Sequence, residues 1–250
     1  MLNLVALGAV AGLIPVYLGI LSALFLGKVL PRTWEGGLIG VANGVLVYLF
    51  FDLMHEATEQ TGARDPVSWL VFLASLGVSF VGLVALESSQ IFGARAGNRW
   101  LSLPMMIAVG MGLHNLGEGL AIGASYAGGE YTLSLLLVAG FGLHNGTEGF
   151  GIIGAAGKAA LSLRDALLLG VVGGVPTCLG TVLSSLTLSP SFSLVWYALA
   201  AGSLLYVVFT LVTLAGSGSR KVPLVWGVWT GIMLMFTTAM LLTLVTGHRS

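Results

Sequence analysis

The chain has 250 residues and no net charge, and only 8% of its residues are charged, against about 25% in an ordinary soluble domain. Hydrophobic residues make up 56% of it and the mean hydropathy is +0.99, which excludes an ordinary soluble fold and indicates an all-α polytopic membrane protein. The neutral charge argues against a nucleic-acid partner, and the single cysteine, Cys178, rules out an intrachain disulfide or a cysteine-rich zinc site.

Eight segments are long and apolar enough to cross a bilayer, which takes about 20 residues. The first begins near Met1, with no basic region before it and no small-residue cleavage site after it, so we expect a retained span rather than a signal peptide. The polar breaks between the segments are too short to hold a soluble domain, so residues 1–250 are predicted to form one transmembrane domain. The spans are predicted at 3–27, 37–57, 67–91, 101–124, 131–156, 165–188, 192–215 and 223–246.

Lysines and arginines are distributed unequally between the two sides of the predicted membrane. Of the 10 in the chain, only Arg64 and Arg249 fall on the side that holds the loops after spans 2, 4 and 6. Because basic loops stay on the cytoplasmic side, we expect the loops after spans 1, 3, 5 and 7 to be cytoplasmic and both termini to be extracytoplasmic. The short loops favour the plasma (inner) membrane of a prokaryote.

Two weak sequence repeats relate the first spans to the last ones. GLIPVYLG in span 1 matches GGVPTCLG in span 6, and ANGVLVYLFFDL in span 2 matches AAGSLLYVVFTL in span 7. The offsets are nearly equal, from Gly12 to Gly173 and from Ala42 to Ala200, and the paired spans run in opposite directions. Inverted repeats of this kind are typical of secondary transporters. We therefore expect a 3+2+3 inverted-repeat arrangement, with a first repeat at 1–92, a central pair at 100–157 and a second repeat at 163–247.

The central pair of spans carries one motif twice, as GLHNLGEGLAIG in span 4 and GLHNGTEGFGIIG in span 5. At about 100° per residue, the histidine, the asparagine and the glutamate of each copy fall within one narrow arc of the helix surface. The two helices are antiparallel neighbours, so the two arcs can face each other at one depth. The six side chains are His114, Asn115, Glu118, His144, Asn145 and Glu148.

Carboxylates inside a membrane are costly and normally mark function. Two that face each other would repel, and one would take up a proton, whereas a divalent cation would remove both problems. Imidazole, carboxylate and amide oxygen together suit Zn²⁺, Fe²⁺ or Mn²⁺, and the absence of thiolate favours reversible binding over a structural site. The alternative is that histidine and glutamate pair across the helices and only hold the bundle together.

HNLGEG and HNGTEG resemble the paired HN-x-P-E-G motifs in spans 4 and 5 of the ZIP (Zrt/Irt-like) divalent-metal transporters, especially their broad-specificity bacterial branch. The eight spans, the outward termini and the 3+2+3 arrangement are also similar to that family, so the resemblance covers essentially the whole chain. It implies a binuclear centre that moves Zn²⁺, and also Fe²⁺, Mn²⁺ or Cd²⁺, into the cytoplasm as one helix bundle slides against another. The implied first site is His114, Glu118, His144 and Glu148, and the second is Asn115 and Asn145 with the same two glutamates.

The chain departs from the family pattern at several positions. Gly117 and Thr147 replace the motif proline, and the Glu-Pro of span 6 reads Val175-Pro176 here. The missing carboxylate implies a weaker second site and transport by a one-site variant.

Further polar residues lie in span 2. Asp52, His55, Glu56 and Glu59 share one helical face at its predicted outer end, where they form either an entrance that gathers cations or merely a solvated helix end. Asn43, deeper in the same span, could offer an oxygen to the centre.

The motif therefore predicts a metal transporter rather than an enzyme, with divalent metal ions and the lipid bilayer as partners, and a homodimer is compatible with the sequence. One alternative is a metal-binding membrane sensor or a non-transporting homologue. The other is an intramembrane zinc hydrolase, which needs three firm ligands and a general base. The chain contains no H-E-x-x-H motif, which disfavours that enzyme class.

Overall fold

The computed structural model describes residues 2–29, 33–61, 65–89, 91, 102–156, 161–184, 190–215 and 221–246. The described chain is helical apart from short turns and contains no strand, which confirms the predicted all-helical class. Each long helix coincides with a predicted span. In chain order they are α1 Leu2–Val29, α2 Thr33–Thr61, α3 Pro66–Ser88, α4 Ser102–Ala127, α5 Tyr131–Gly154, α6 Leu163–Leu183, α7 Pro190–Ala215 and α8 Lys221–Thr246.

Seven of the described helices are long and apolar enough to cross a membrane, which supports a multi-pass membrane protein. The exception is α5, which is of similar length but carries its polar motif in an otherwise apolar run. Helix α2 is longer than its predicted span 37–57: its 29 residues extend about 43 Å, against about 30 Å of hydrocarbon. The extra length comes from the polar residues on both sides of the predicted span.

Most of the basic residues that predict the orientation lie outside the described residues. Lys28, Arg164 and Lys221 are described. Also outside are parts of three predicted spans, namely residue 90, residue 101 and residues 185–188. The undescribed basic residues are Arg32, Arg64, Arg95, Arg99, Lys158, Arg220 and Arg249.

The helices pack in two groups of four. Helices α1, α4, α5 and α6 pack together and are called the first bundle here, and α2, α3, α7 and α8 form the second bundle. The bundles meet where α4 lies against α7 and where α5 lies against α2. The main hydrophobic core fills this junction, with Met106 and Met111 of α4 packed among apolar side chains of α2 and α7.

Glycines allow the closest helix pairs to touch through their backbones. A Cβ on Gly44 of α2 would overlap the Val228 carbonyl oxygen of α8, and one on Gly119 of α4 would overlap the Thr177 carbonyl oxygen of α6. Membrane helices associate through such small-residue contacts because lipid offers no hydrophobic drive for their association. The high glycine content of the chain is thus used at helix interfaces.

Two helices of the first bundle are interrupted by proline. Helix α1 contains Pro15 just after a π-helical turn at Ala9–Leu13, and α6 contains Pro176. Proline has no backbone N–H, so the carbonyl four residues earlier loses its regular helical donor. These carbonyls belong to Ala11 and Val172. Both interruptions face the motif helices, as described below.

Side-chain caps fix the starts of α3 and α6. Asp65 accepts hydrogen bonds from the backbone N–H groups of Val67 and Ser68, at 3.1 and 3.3 Å. Ser162 and Asp165 form a reciprocal capping box at the start of α6. Both caps satisfy N–H groups that a helix leaves without partners at its first turn.

Candidate metal centre

The six motif side chains lie together in the interior of the first bundle, between α4 and α5. Each is 5% exposed or less. The imidazole rings of His114 and His144 face each other across the helix pair, with their centroids 6.4 Å apart. Six polar side chains, two of them acidic, therefore share one buried region.

The asparagine of each motif helix binds the glutamate of the other. Asn115 Nδ2 donates to Glu148 Oε2 at 2.8 Å, and Asn145 Nδ2 donates to Glu118 Oε2 at the same distance. Hydrogen bonds to an ionised group are among the stronger ones in proteins. Each carboxylate is thus held by the opposite helix.

The two histidines are not equivalent. His144 Nε2 lies 2.5 Å from Glu118 Oε1 and forms a hydrogen bond with it. His114 Nε2 lies 3.2 Å from the same oxygen but outside hydrogen-bonding geometry, and neither ring nitrogen of His114 has a hydrogen-bond partner. Glu118 therefore has a partner on both oxygens, whereas Glu148 Oε1 has none.

Three of the six residues form a compact group suited to a metal ion. His114, His144 and Glu148 each offer one ligand atom, and these atoms lie within 4.8 Å of one another. Ligand atoms about 2.1 Å from a zinc ion are at most about 4.2 Å apart, so small side-chain rotations would close the group around one ion. Glu118, which the resemblance places in the same site, lies beside the group and binds His144 instead.

Several buried atoms of the centre have no hydrogen-bond partner: Asn115 Oδ1, Asn145 Oδ1, Glu148 Oε1, His144 Nδ1 and both ring nitrogens of His114. Buried polar atoms are nearly always paired, so a cluster of unpaired ones requires an explanation. All are oxygen or imidazole nitrogen atoms, which are the ligands that transition-metal ions take from proteins. The arrangement can therefore accept a cation without first breaking all of its internal bonds.

The polar residues of α2 occupy two levels. Asn43 is 1% exposed, and its Oδ1 has no hydrogen-bond partner. Asp52, His55 and Glu56 are exposed and begin about two and a half helical turns further along. His55 Nε2 lies 3.5 Å from Glu59 Oε1, with both side chains more than 60% exposed. The entrance remains a prediction.

The structure adds neighbours that the sequence did not single out. Asn145 Nδ2 also donates to the Ala11 carbonyl of α1 at 2.9 Å, and Asn115 Nδ2 donates to the Gly173 carbonyl of α6 at 3.0 Å. Thr177 of α6 is fully buried, and its Oγ1 has no partner. A threonine beside a proline in mid-span was a usable signal for Thr177, but backbone acceptors leave no mark in the sequence.

The sequence matches no model of a known protein family, and it matches no curated protein either. The resemblance to metal transporters therefore depends on the duplicated motif and on the predicted spans and repeat that accompany it.

Proposed function

We propose that the protein is a secondary transporter of the ZIP type, which moves divalent transition-metal ions, Zn²⁺ first, into the cytoplasm. The observation that carries the proposal is the buried, duplicated set of histidine, asparagine and glutamate, several of whose ligand atoms lack partners. The ions would bind at the six motif residues and be the cargo of the protein rather than a resident cofactor.

A purely structural role for the motif fits these contacts less well. Side chains that only hold a bundle together would satisfy one another, because an unpaired polar group in an apolar interior costs about 1–3 kcal/mol. Here His144 Nε2 and Glu118 satisfy each other, whereas His144 Nδ1, Glu148 Oε1 and both ring nitrogens of His114 have no hydrogen-bond partner. A divalent cation would engage these unpaired atoms and offset the negative charge of the carboxylates.

The proposal includes the 3+2+3 inverted repeat, with both termini extracytoplasmic in a plasma membrane. The helix contacts support this repeat in pairs. Helix α4 packs on α6 as α5 packs on α1, and α2 packs on α8 as α7 packs on α3. In such a repeat α1, α2 and α3 correspond to α6, α7 and α8, and α4 corresponds to α5. Under this correspondence, each of these contacts matches the other contact of its pair. The carbonyls that bind Asn145 and Asn115 likewise come from α1 and α6.

The two bundles suggest how access to the site would alternate. All six motif residues belong to α4 and α5, which are both in the first bundle. Bound ions would therefore travel with that bundle as it slides against the second one. The compact group of His114, His144 and Glu148 includes no residue of α6. The weaker second site implied by Val175 therefore leaves this group intact.

The proposal is tested by measuring metal entry into proteoliposomes that contain a fluorescent chelator. Wild type is compared with Glu118→Gln and Glu148→Gln, which keep the side-chain shape and remove the charge. Glu130→Gln is the matched control, since Glu130 is exposed in the turn between α4 and α5. We expect saturable entry of Zn²⁺, Fe²⁺, Mn²⁺ and Cd²⁺ but not Mg²⁺, lowered about ten-fold or more by both motif variants and unchanged by the control.

Other outcomes of this experiment would favour the alternatives. Entry that persists in both motif variants places the pathway elsewhere in the protein. Zinc binding without entry indicates a sensor or a non-transporting homologue. Release of lipid fragments by the wild type, lost in the motif variants, would indicate an intramembrane hydrolase.

A further inference from the structure

We infer that Pro15 and Pro176 are positioning residues for the metal centre and that each acts through the asparagine of the motif helix that packs against it. For its metal-binding part, the inference rests on the proposed function. In α1, Pro15 lacks the N–H that would bind the Ala11 carbonyl in a regular helix. Asn145 Nδ2 donates to that same carbonyl at 2.9 Å. A ligand side chain thus replaces the missing helical donor.

A related arrangement occurs in α6. Pro176 interrupts the helix, and Asn115 Nδ2 donates to the Gly173 carbonyl at 3.0 Å. The accepting carbonyl lies three residues before the proline here and four residues before it in α1. In α6 the carbonyl four residues before the proline, that of Val172, faces Gly112 of α4 instead.

A glycine two residues before each motif histidine lies beside the proline, and in α4 the close approach requires it. A Cβ on Gly112 would lie 3.1 Å from Pro176 Cγ and would overlap the Val172 carbonyl oxygen. The corresponding Cβ on Gly142 would lie 3.7 Å from Pro15 Cγ. Each G-L-H-N segment therefore docks on a turn that contains a proline, with its glycine beside the ring and its asparagine on a carbonyl of that turn. In α1 this carbonyl is the one that the proline leaves without its regular helical donor.

This docking determines which asparagine atom faces a metal ion. The amide nitrogen has two hydrogens, and in both residues one goes to a backbone carbonyl and the other to a glutamate. If the amide were flipped, its oxygen would face the backbone carbonyl and the glutamate, which are both acceptors. The amide therefore has one orientation. Oδ1 is the atom left without a partner in Asn115 and in Asn145. Ligands held through their second polar atom in this way bind metal more tightly.

The experiment is a set of double-mutant cycles on Zn²⁺ affinity, measured by titration calorimetry on the purified, detergent-solubilised protein. Pro15→Ala supplies an N–H that competes with Asn145 for the Ala11 carbonyl, and we expect it to weaken Zn²⁺ binding about ten-fold or more. Adding Asn145→Ala to Pro15→Ala should weaken Zn²⁺ binding little further. Adding Asn115→Ala to Pro15→Ala should weaken Zn²⁺ binding by as much as Asn115→Ala does in the wild-type protein. The pairing is reversed for Pro176→Ala. This variant restores the helical bond to the Val172 carbonyl and changes the turn that presents the Gly173 carbonyl, so it should be coupled to Asn115 and not to Asn145.

Pro223→Ala is the matched control, because Pro223 lies in the first turn of α8, where proline withholds no helical hydrogen bond. It should leave the Zn²⁺ affinity unchanged. Equal coupling in both pairings, or proline variants that bind as wild type does, would overturn the inference. If the proline variants do not fold, Gly112→Ala separates α4 from the Pro176 turn, because its Cβ would overlap the Val172 carbonyl oxygen, whereas Gly142→Ala has room for its Cβ. Gly112→Ala should weaken Zn²⁺ binding and Gly142→Ala should not, and equal affinities would again overturn the inference.

The same cycles are repeated on the thermal unfolding of the protein in the presence of a chelator, which reports on the contacts without metal. If the wild-type protein binds no Zn²⁺, the proposed function is wrong. The unfolding measurements in chelator would still show whether each proline is coupled to one asparagine and not to the other. Coupling that appears in unfolding but not in Zn²⁺ affinity would make the contacts structural only. That result would overturn the positioning role.

Discussion

At the scale of single residues, the two motif histidines have equivalent sequence contexts and different surroundings. His144 pairs with Glu118 at 2.5 Å, whereas the ring nitrogens of His114 have no hydrogen-bond partner. We therefore expect both His114→Ala and His144→Ala to lose Zn²⁺ binding. Only His144→Ala should also leave a buried carboxylate oxygen without its hydrogen bond, so it should destabilise the metal-free protein by about 1–3 kcal/mol more than His114→Ala does.

The measurement is the free energy of unfolding of the metal-free variants in one detergent, followed by calorimetric Zn²⁺ titration. The two substitutions remove the same volume from neighbouring buried positions, so their cavity costs largely cancel in the comparison. Equal losses of stability would show that the short contact between His144 and Glu118 contributes nothing to folding.

The sequence predicts the six residues of the centre but not how they are paired. Helical periodicity is enough to put each histidine, asparagine and glutamate on one face, because the spacing within a motif is local. The bonds from Asn145 to Ala11 and from Asn115 to Gly173 join residues that are 134 and 58 positions apart. Such pairs depend on the relative rotation of helices, which no local pattern encodes.

At the scale of helices, Gly44 and Gly82 test whether glycine acts through packing. A Cβ on Gly44 would overlap the α8 backbone at Val228, whereas one on Gly82 of α3 meets no described atom within 4 Å. Gly44→Ala should separate α2 from α8 and cost about 1–3 kcal/mol, as overpacked cores do. Gly82→Ala should be neutral or slightly stabilising, because alanine favours the helix more than glycine does.

Thermal unfolding of both glycine variants in the same detergent measures this difference. Gly77, also in α3 and also without a neighbouring atom within 4 Å, provides a second control through Gly77→Ala. If Gly44→Ala unfolds at the same temperature as the α3 variants, the backbone contact between α2 and α8 is not important for stability.

The helices themselves were largely predictable, since each long apolar run becomes one helix. Their ends were less so: α2 continues through the polar residues on both sides of the predicted span 37–57, because a helix does not need to stop where its apolar run does. The π-helical turn at Ala9–Leu13 was not predicted. It lies just before Pro15 and contains Ala11, whose carbonyl accepts the hydrogen bond from Asn145. A contact with another helix, which local propensity does not encode, therefore coincides with this turn.

At the scale of the whole molecule, the proposed orientation places the turn after α4 outside and the loop after α5 in the cytoplasm. Glu130→Cys and Lys158→Cys, each in a Cys178→Ala background, report on these two positions. A membrane-impermeant maleimide added to intact cells should label the first variant and should label the second only after permeabilisation. The reverse pattern would invert the topology and turn the proposed import into export.

In the proposed mechanism, transport requires movement between the two bundles, and designed disulfides test this directly. A Cβ on Gly117 of α4 would lie 3.6 Å from the Cβ of Ala200 in α7, and a Cβ on Gly151 of α5 would lie 3.7 Å from that of Ala42 in α2. Both distances suit a disulfide. The double-cysteine variants Gly117→Cys/Ala200→Cys and Gly151→Cys/Ala42→Cys, in the Cys178→Ala background, should therefore lock the first bundle to the second when oxidised.

Metal entry into proteoliposomes should stop in both oxidised variants and return after reduction. The control crosslinks two helices of one bundle: a Cβ on Gly37 of α2 would lie 3.9 Å from the Cβ of Pro223 in α8, and Gly37→Cys/Pro223→Cys should transport in either redox state. A crosslink within one bundle leaves the rigid-body motion of that bundle free. Comparing the two kinds of disulfide therefore separates the effect of blocked sliding from the effect of a more rigid protein. Full transport by a protein crosslinked between bundles would exclude the sliding motion and favour a fixed pathway through α4 and α5.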